Sequence, residues 1–595
     1  MIMSTIPERL HALRVAMSEQ HIDVWIIPSA DAHESEYVAD HWKGRTWMSG
    51  FTGSAGTLVL LHEKAALWTD GRYFLQAEQE LQESNIELMR DGEAGVPSIH
   101  RWLIENLSPE CTIGFDGNVL SKSKSRAMIQ SLNALSPSLK HTEDLLDTVW
   151  TDRPAMPAEP VFLHDDALAG KTREEKLIQT RKAVKDAGGN QLLITTLDDI
   201  AWLMNLRGTD IECNPVFLAY AMISEDKTDL FINQNRIEPQ ALTALKTSGI
   251  EFHDYNEIIS YLTRLPADCQ LIADPDTTST ALFDAIPHNV TIIEKSSPTR
   301  LLKAVKNATE IKSMEACHRR DGVAMVRFMH WLSSAVSTGT HTECSIAEKL
   351  EDFRKESTEY KGPSFTTISG YEANGAIVHY SPEPSTCATV QPRSLLLVDS
   401  GGQYPDGTTD ITRTFACGEL TDEERRDYTM VMKSHINLAT ARFKKGVRGL
   451  QLDVLARQPL WQQGMDFNHG TGHGVGYFLN VHEGPQSISP RWIDTPLEPG
   501  MLVTNEPGVY RSEKHGIRLE NIMLVQEDSQ TEFGDFYCLC PMTLAPFDTR
   551  PLMADMLNTA EKTWLNHYQK RVFNELAPLL SDDDTQWLKK ATKAI

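Results

Sequence analysis

Four acids and a set of histidines between residues 379 and 520 are the candidates for chemistry, because each acid closes or interrupts an apolar run. Ser394-Leu395-Leu396-Leu397-Val398 leads straight into Asp399, and eleven residues later Asp410 opens Ile411-Thr412-Arg413-Thr414-Phe415. Gly401-Gly402 and Pro405-Asp406-Gly407 lie between them and are hairpin-turn residues. The two aspartates are therefore expected opposite each other across an antiparallel pair, pointing to one face. Met501-Leu502-Val503-Thr504-Asn505 leads into Glu506-Pro507-Gly508 in the same way. Glu520 is expected inside an apolar strand over 516–525, with Arg518 on its face by the two-residue period. In His469-Gly470-Thr471-Gly472-His473-Gly474-Val475-Gly476 a glycine at every second position argues against helix and for a loop or strand approached closely by other backbone. His482 follows in Val481-His482-Glu483, and His379 precedes in Ile377-Val378-His379-Tyr380.

Taken singly, each residue has a plainer reading. An aspartate at a strand end commonly caps a turn, Glu520 could pair with Arg518, and a histidine is more often hydrogen-bonded structure than a ligand. Taken together the plain readings fail. Asp399, Asp410, Glu506 and Glu520 bring four negative charges into apolar strand ends, which requires protonation or cations. Two divalent ions neutralise four carboxylates, and His473 adds a nitrogen donor. An oxygen-rich set with one imidazole suits Mn²⁺, Co²⁺, Fe²⁺ or Zn²⁺, the carboxylate excess leaning to Mn²⁺. A pair of such ions about 3.5–4 Å apart is a hydrolytic device.

The elements that must hold these residues are α/β in pattern. Prolines 154, 157 and 160 mark one boundary, and Lys295-Ser296-Ser297-Pro298 precedes another, dividing the chain into 1–156, 157–304 and 305–595. The first two parts share a layout of amphipathic helix, apolar strand (Val24-Trp25-Ile26-Ile27; Leu192-Leu193-Ile194-Thr195), acidic turn and aromatic–glycine element. That layout predicts two α/β domains related by duplication. The third part is expected to open with a helix buried through Ile311, Met314, Met325, Phe328, Met329 and Leu332. A second helix is expected from the capping box Thr421-x-x-Glu424 to about Phe443, with antiparallel strands around it. From about Pro551 the chain reads as helical packing or an interface.

With 595 residues, 41% of them hydrophobic, the chain has apolar material for several cores. Its 57 basic and 82 acidic residues leave a net charge of −25, a field that repels nucleic-acid backbones and acidic membrane surfaces. No run approaches the roughly 18 apolar residues of a membrane span. The opening residues show no secretory leader, and the nine scattered cysteines form no C-x-x-C pair. A reducing, cytoplasmic location is expected.

The ordered set Asp399, Asp410, His473, Glu506, Glu520 resembles the ligand set of the pita-bread metallopeptidases. His379-Tyr380, Asp399-Ser400-Gly401-Gly402-Gln403-Tyr404, Gly407-Thr408-Thr409-Asp410, the His469–Gly476 run and Asn505-Glu506-Pro507-Gly508 resemble, within that group, the long three-domain Xaa-Pro aminopeptidases. Ile27-Pro28-Ser29-Ala30-Asp31-Ala32-His33 and Trp68-Thr69-Asp70-Gly71-Arg72-Tyr73 extend the resemblance to the start of the chain. It implies two creatinase-like α/β domains followed by a pita-bread catalytic domain, usually as a homodimer. It further implies hydrolysis of the N-terminal Xaa-Pro bond of peptides through a water held between two metal ions. Asp399 would bind one metal, Asp410 and Glu520 both, and His473 with Glu506 the other. Glu506 would be the general base, His379 and His482 would contact substrate and the developing oxyanion, and His469 would line the proline subsite. Arg518 would orient a carboxylate, and Arg72 would reach the substrate. The rivals are Xaa-Pro dipeptidase (prolidase), whose chains usually lack the second amino-terminal domain, and a non-catalytic peptide-binding protein, which should have lost ligands.

Overall fold

The structure is a computed structural model describing residues 5–141 and 143–595; the opening Met-Ile-Met-Ser, part of the leader reading, lies outside the described residues. Contacts divide the chain into two units, one holding residues up to 164 with 171–299, the other holding 165–170 with 300–595.

In the first unit the two apolar runs become the central strands Val24–Pro28 and Gln191–Ile194, each following a helix, Ile6–Glu19 and Arg173–Asp186. Each strand sits fourth in a six-stranded sheet. The first sheet runs Glu87–Arg90, Ala65–Thr69, Thr57–Leu61, Val24–Pro28, Thr112–Phe115, Ser138–Lys140. The second runs Ile250–His253, Thr228–Phe231, Tyr220–Ser224, Gln191–Ile194, Gln270–Ala273, Thr291–Glu294. Every neighbouring pair has the same sense, parallel or antiparallel, in both sheets. The same topology therefore occurs twice. Val24 and Ile26 enter one apolar cluster and Trp25 and Ile27 another, so both faces are covered and the run is continuously apolar. Equivalent serines after the fifth strands, Ser121 and Ser279, meet in an antiparallel bridge.

The second unit opens with the helix Ala308–Ala335, capped by the Asn307 side chain and buried through Met314, Met325, Phe328, Met329 and Leu332. Thr421 caps the helix Asp422–Ala439. That helix stops short of Phe443, which lies instead in the strand Arg442–Lys444, paired to Gly534–Pro541 with its ring against Tyr537. Sheet formation wins there over helical periodicity. Ile368–Tyr371, Leu395–Ser400 and Ile411–Ala416 form one antiparallel sheet; Arg442–Lys444, Gly534–Pro541, Asn521–Thr531 and Leu502–Asn505 form another.

Two expectations about the strands need correction. Asp399 pairs with Thr412, not Asp410, so Asp410 lies two residues along on the same face, a diagonal neighbour. Glu520 is not inside a strand. His515–Arg518 pairs with Gly508–Arg511, whereas Asn521–Thr531 pairs with Leu502–Asn505, and the chain changes partner at Leu519-Glu520. Two bonds hold that break: Glu520 N–H donates to the Thr412 carbonyl at 3.1 Å, and Arg413 Nη1 donates to the Glu520 carbonyl.

The carboxyl-terminal helix Thr559–Leu576 buries Leu565, Tyr568, Val572 and Leu576 in the core of this unit. Glu343, the first residue of the helix Glu343–Lys355, is a second organising point. It is fully buried, and its carboxylate accepts from Tyr371 N (2.6 Å), Asn374 Nδ2 (3.0 Å), Tyr380 Oη (2.8 Å) and Ala388 N (2.7 Å). Glu343→Ala removes the shared acceptor of these donors and is expected to cost about 3 kcal/mol. Urea unfolding followed by tryptophan fluorescence reads this as a lower midpoint; an unchanged midpoint would show that the junction contributes nothing.

Candidate metal centre

Each acid reaches the site from a different strand end. Asp399 closes Leu395–Ser400, Asp410 immediately precedes Ile411–Ala416, Glu506 follows Leu502–Asn505, and Glu520 occupies the break before Asn521–Thr531. His473 lies in the short strand Gly472–Gly474. The glycines make that approach possible: a Cβ on Gly472 would stand 1.9 Å from the Thr504 carbonyl oxygen, and one on Gly474 2.2 Å from that of Glu483. The loop is tied down from the helix Gly449–Trp461. There Asp453 accepts from Thr471 Oγ1 at 2.6 Å, while Arg457 bonds Asp453 at 2.7 Å and the His469 carbonyl at 2.7 Å.

The five residues converge. Ligand atoms of Asp399, Asp410 and Glu520 lie within 4.8 Å of one another, as do those of His473, Glu506 and Glu520. His473 Nε2 stands 3.5 Å from Asp410 Oδ2 and 3.6 Å from Glu506 Oε1. Its Nδ1 faces the Gly474 carbonyl at 2.8 Å, which places the proton on Nδ1 and leaves the Nε2 lone pair toward the acids. His482 also comes within reach, its ring edge-on to His473 at 4.3 Å, and it forms a third possible ligand group with Asp410 and His473.

Arg518 pairs with Asp399 and not with Glu520. Its Nη2 and Nε donate to Asp399 Oδ2 at 2.6 and 3.2 Å. Arg518 Nη2 also donates to the Val378 carbonyl at 3.3 Å, which pins the turn carrying His379 beside Asp399. His469 sits one step further out, with Nδ1 on the Gly470 carbonyl at 2.7 Å and Nε2 on Tyr510 Oη at 2.8 Å. Arg518 Nη1 donates to the same Tyr510 oxygen at 2.8 Å, so His469, Tyr510, Arg518 and Asp399 form one hydrogen-bonded chain. Arg72 belongs to the amino-terminal unit, where Nε and Nη2 fork onto Asp70 at 2.8 Å each. Its place in the site rests on the resemblance alone.

Several contributors went unread in the sequence. Tyr510 lies two residues beyond Gly508, on the strand paired with the one that carries Arg518. Thr412 Oγ1 donates to Glu520 Oε2 at 2.7 Å and accepts from Arg518 Nε at 3.2 Å. Thr504 Oγ1 accepts from His473 N at 3.0 Å and donates to Glu506 Oε1 at 3.3 Å. The period-two alternation placed Thr412 on the face of Asp410, which was the one available signal.

The donor set fits two divalent cations. Four carboxylates face a single nearby guanidinium, and among the described residues Asp399 Oδ1 is buried without a hydrogen-bond partner. Burial, then the charge of Asp399, pushes the Asp410 carboxyl far above its ordinary range; burial, then Asp410, does the same to Glu520. Burial raises Glu506 to about 7, with Arg518 opposing and Asp399 adding to the rise. Without cations these acids hold protons in the folded state that the unfolded chain releases near pH 4–4.5.

The sign follows: the folded form binds the extra protons, so the stability of the cation-free protein falls as pH rises from the ordinary carboxylate range through about 7. Cation binding needs the deprotonated acids, so affinity rises over the same window and protons are released. Thermal melting of chelator-stripped protein should give a lower Tm at about pH 8 than at about pH 5.5. Titration calorimetry in two buffers should show proton release, and a flat profile without release would remove the buried-acid account.

Comparison with known proteins gives a consistent set of matches. Residues 312–527 match metallopeptidase family M24, 9–149 and 152–310 each match the creatinase/prolidase N-terminal domain, and 535–595 match the C-terminal region of peptidase M24. A protein of Coprinopsis cinerea named probable Xaa-Pro aminopeptidase P is 41% identical, over 99% of this chain and 98% of its own. Xaa-Pro aminopeptidase 1 of Dictyostelium discoideum is 40% identical, over 99% and 97%. The crystal structure of X-prolyl aminopeptidase from Caenorhabditis elegans, described as a cytosolic enzyme with a di-nuclear active site, superimposes with a TM-score of 0.95 at 33% identity, covering 100% of both chains.

Proposed function

Since the chain belongs to the Xaa-Pro aminopeptidase family of M24 metallopeptidases, we propose that it is a metal-dependent aminopeptidase that releases the first residue of peptides whose second residue is proline. The observation that carries this reading is the convergence of Asp399, Asp410, His473, Glu506 and Glu520 into overlapping ligand groups. An Xaa-Pro bond lacks the N–H that most peptidases pair with, so its hydrolysis calls for a site shaped to the ring.

Asp399, Asp410, His473, Glu506 and Glu520 are proposed to hold two divalent cations, which when bound lower the pKa of water and polarise the scissile carbonyl. Glu506 is the proposed general base. Its side chain is 17% exposed against 5% for Asp410, so its carboxylate is the more open of the two to take a proton at Oε and return it to the leaving proline nitrogen. His482, beside His473, and His379, on the turn fixed by Arg518, are proposed to bind substrate and the developing oxyanion. His469 has both ring nitrogens engaged and so offers the substrate an apolar ring surface, which suits proline. Arg518 positions Asp399. Arg72 is proposed as a substrate contact on the resemblance.

The oxygen-rich donors favour Mn²⁺ as the native ion. A cytoplasmic location is supported by the cytosolic description of the nematode relative and by nine free thiols. Among the described residues, no helix is long and apolar enough to cross a membrane. A homodimer is proposed, with exposed Val454 and Trp461, one heptad apart on a helix of the catalytic unit, as support. The division into 1–156, 157–304 and 305–595 is proposed with the family matches meeting near 150 and 311 as its support.

The test is mass spectrometry of an Xaa-Pro-Pro tripeptide incubated with chelated enzyme and then with added Mn²⁺. Loss of the first residue alone, only with metal, is expected. Asp410→Ala should lower kcat/KM by about 10³-fold or more, a loss of about 4 kcal/mol. An intact tripeptide beside a cleaved Xaa-Pro dipeptide would overturn the aminopeptidase reading in favour of a dipeptidase. No cleavage of either with metal bound would leave a binding protein.

A further inference from the structure

Two cysteines lie together on the catalytic unit, outside the metal centre. Cys344 is the second residue of the helix Glu343–Lys355, and Cys387 lies on the returning segment opposite it. The backbones run antiparallel there. Thr342 bridges Thr389, Glu343 N–H donates to the Ala388 carbonyl at 3.0 Å, and Val390 N–H to the His341 carbonyl at 2.8 Å. Cys344 and Cys387 flank that bridge, Cys344 one residue after Glu343 at the start of the helix and Cys387 one residue before Ala388. The two thiols are within hydrogen-bonding reach of each other, and both side chains are partly exposed.

We propose that Cys344 and Cys387 form a reversible disulfide, a thiol-modification site on the catalytic unit, when the protein meets a peroxide. The Cys387 thiolate attacks one peroxide oxygen, the O–O bond breaks, and the departing oxygen leaves as water or alcohol after taking a proton. Cys387 becomes a sulfenic acid. The Cys344 sulfur then attacks the Cys387 sulfur, the S–S bond forms, and hydroxide leaves with the Cys344 proton as a second water. Two thiols are oxidised by two electrons and one peroxide is reduced; a small dithiol reverses the reaction.

The two sulfurs are not equivalent. Burial, the contact with Cys387 and the nearby Glu348 and Glu343 carboxylates raise the Cys344 thiol to about 12. Cys387 is lowered: burial opposes the shift, but Cys344 S–H and its backbone and Thr342 offer hydrogen bonds to its sulfur. Cys387 is therefore the attacking sulfur and Cys344 the resolving one. The bond would close over the Glu343 junction, which accepts from Ala388 N next to Cys387 and from Tyr380 Oη next to His379.

The test is peptide mapping of the full chain by mass spectrometry after brief exposure to hydrogen peroxide, followed by alkylation. Two of the nine thiols should disappear, a 344–387 cross-linked peptide should appear, and dithiothreitol should restore both. Cys344→Ser should abolish the cross-link and leave Cys387 trapped as sulfenic acid, detected by dimedone labelling; Cys387→Ser should leave Cys344 alkylatable. Retention of both thiols, oxidation of other cysteines in preference, or labelling of Cys344 instead of Cys387 would each overturn the proposal.

Discussion

Mutual repulsion among four buried carboxylates is the constraint around which the catalytic unit is organised. Asp399, Asp410 and Glu520 are less than one-tenth exposed, and Glu506 is little more open. Arg518 neutralises Asp399 alone, and it does so from a strand whose own register is fixed by Gly508–Arg511. The remaining charge must be met by protons or by cations. The same dry surroundings that make the cluster costly give cations bound there a high field, so the site is a strong ligand because it is a poor place for bare acids.

Holding such a cluster falls to backbone geometry and to buried residues outside the cluster itself. Arg413, fully buried on the strand that follows Asp410, donates to the Glu520 carbonyl, to Asn521 Oδ1 and the Ala545 carbonyl at 2.8 Å each, and to Tyr568 Oη at 3.1 Å. Its guanidinium lies 3.9 Å from the centre of the Phe547 ring. Tyr568 comes from the carboxyl-terminal helix, which is thereby part of the machinery that positions Glu520. On the opposite side, buried His435 donates from Nδ1 to two carbonyls, of Asn505 and Leu519, each one residue before one of the clustered acids. Burial drops its pKa to about 3, so it stays neutral and serves as a spacer between the two strands.

The acids were legible because an ionisable residue closing or interrupting an apolar run is anomalous by type, and four such anomalies demand a common cause; His473 was legible through the glycine run around it. The duplicated amino-terminal layout was legible through its repeated order of helix and apolar strand. Its clearest mark, Asp116 and Ser121 repeated as Asp274 and Ser279, was missed because it is too short to stand out until the strands are aligned. The register of Asp399 and Asp410 was not legible, since the number of loop residues does not say where pairing begins. The break at Leu519-Glu520 was hidden for a different reason: Ile517 through Val525 has the apolar pattern of one strand, and only the distant acceptor Thr412 O and donor Arg413 divide it. Tyr510 and Thr412 escaped because a tyrosine or threonine in a strand is ordinary by type.

The glycine run shows how far sequence position alone can define a site. Gly472 and Gly474 admit the Thr504 and Glu483 carbonyls where any side chain would collide, so the strand carrying His473 can lie directly on the strand leading to Glu506. That contact sets the 3.6 Å separation of His473 Nε2 and Glu506 Oε1, through Thr504, which accepts from one residue and donates to the other. A histidine brought in on a helix would carry its own backbone several ångströms further from its partner. The dense alternation of glycines is thus a geometric requirement of placing an imidazole against a carboxylate with one hydroxyl between their backbones, and His473 and the glycines around it form a single structural element.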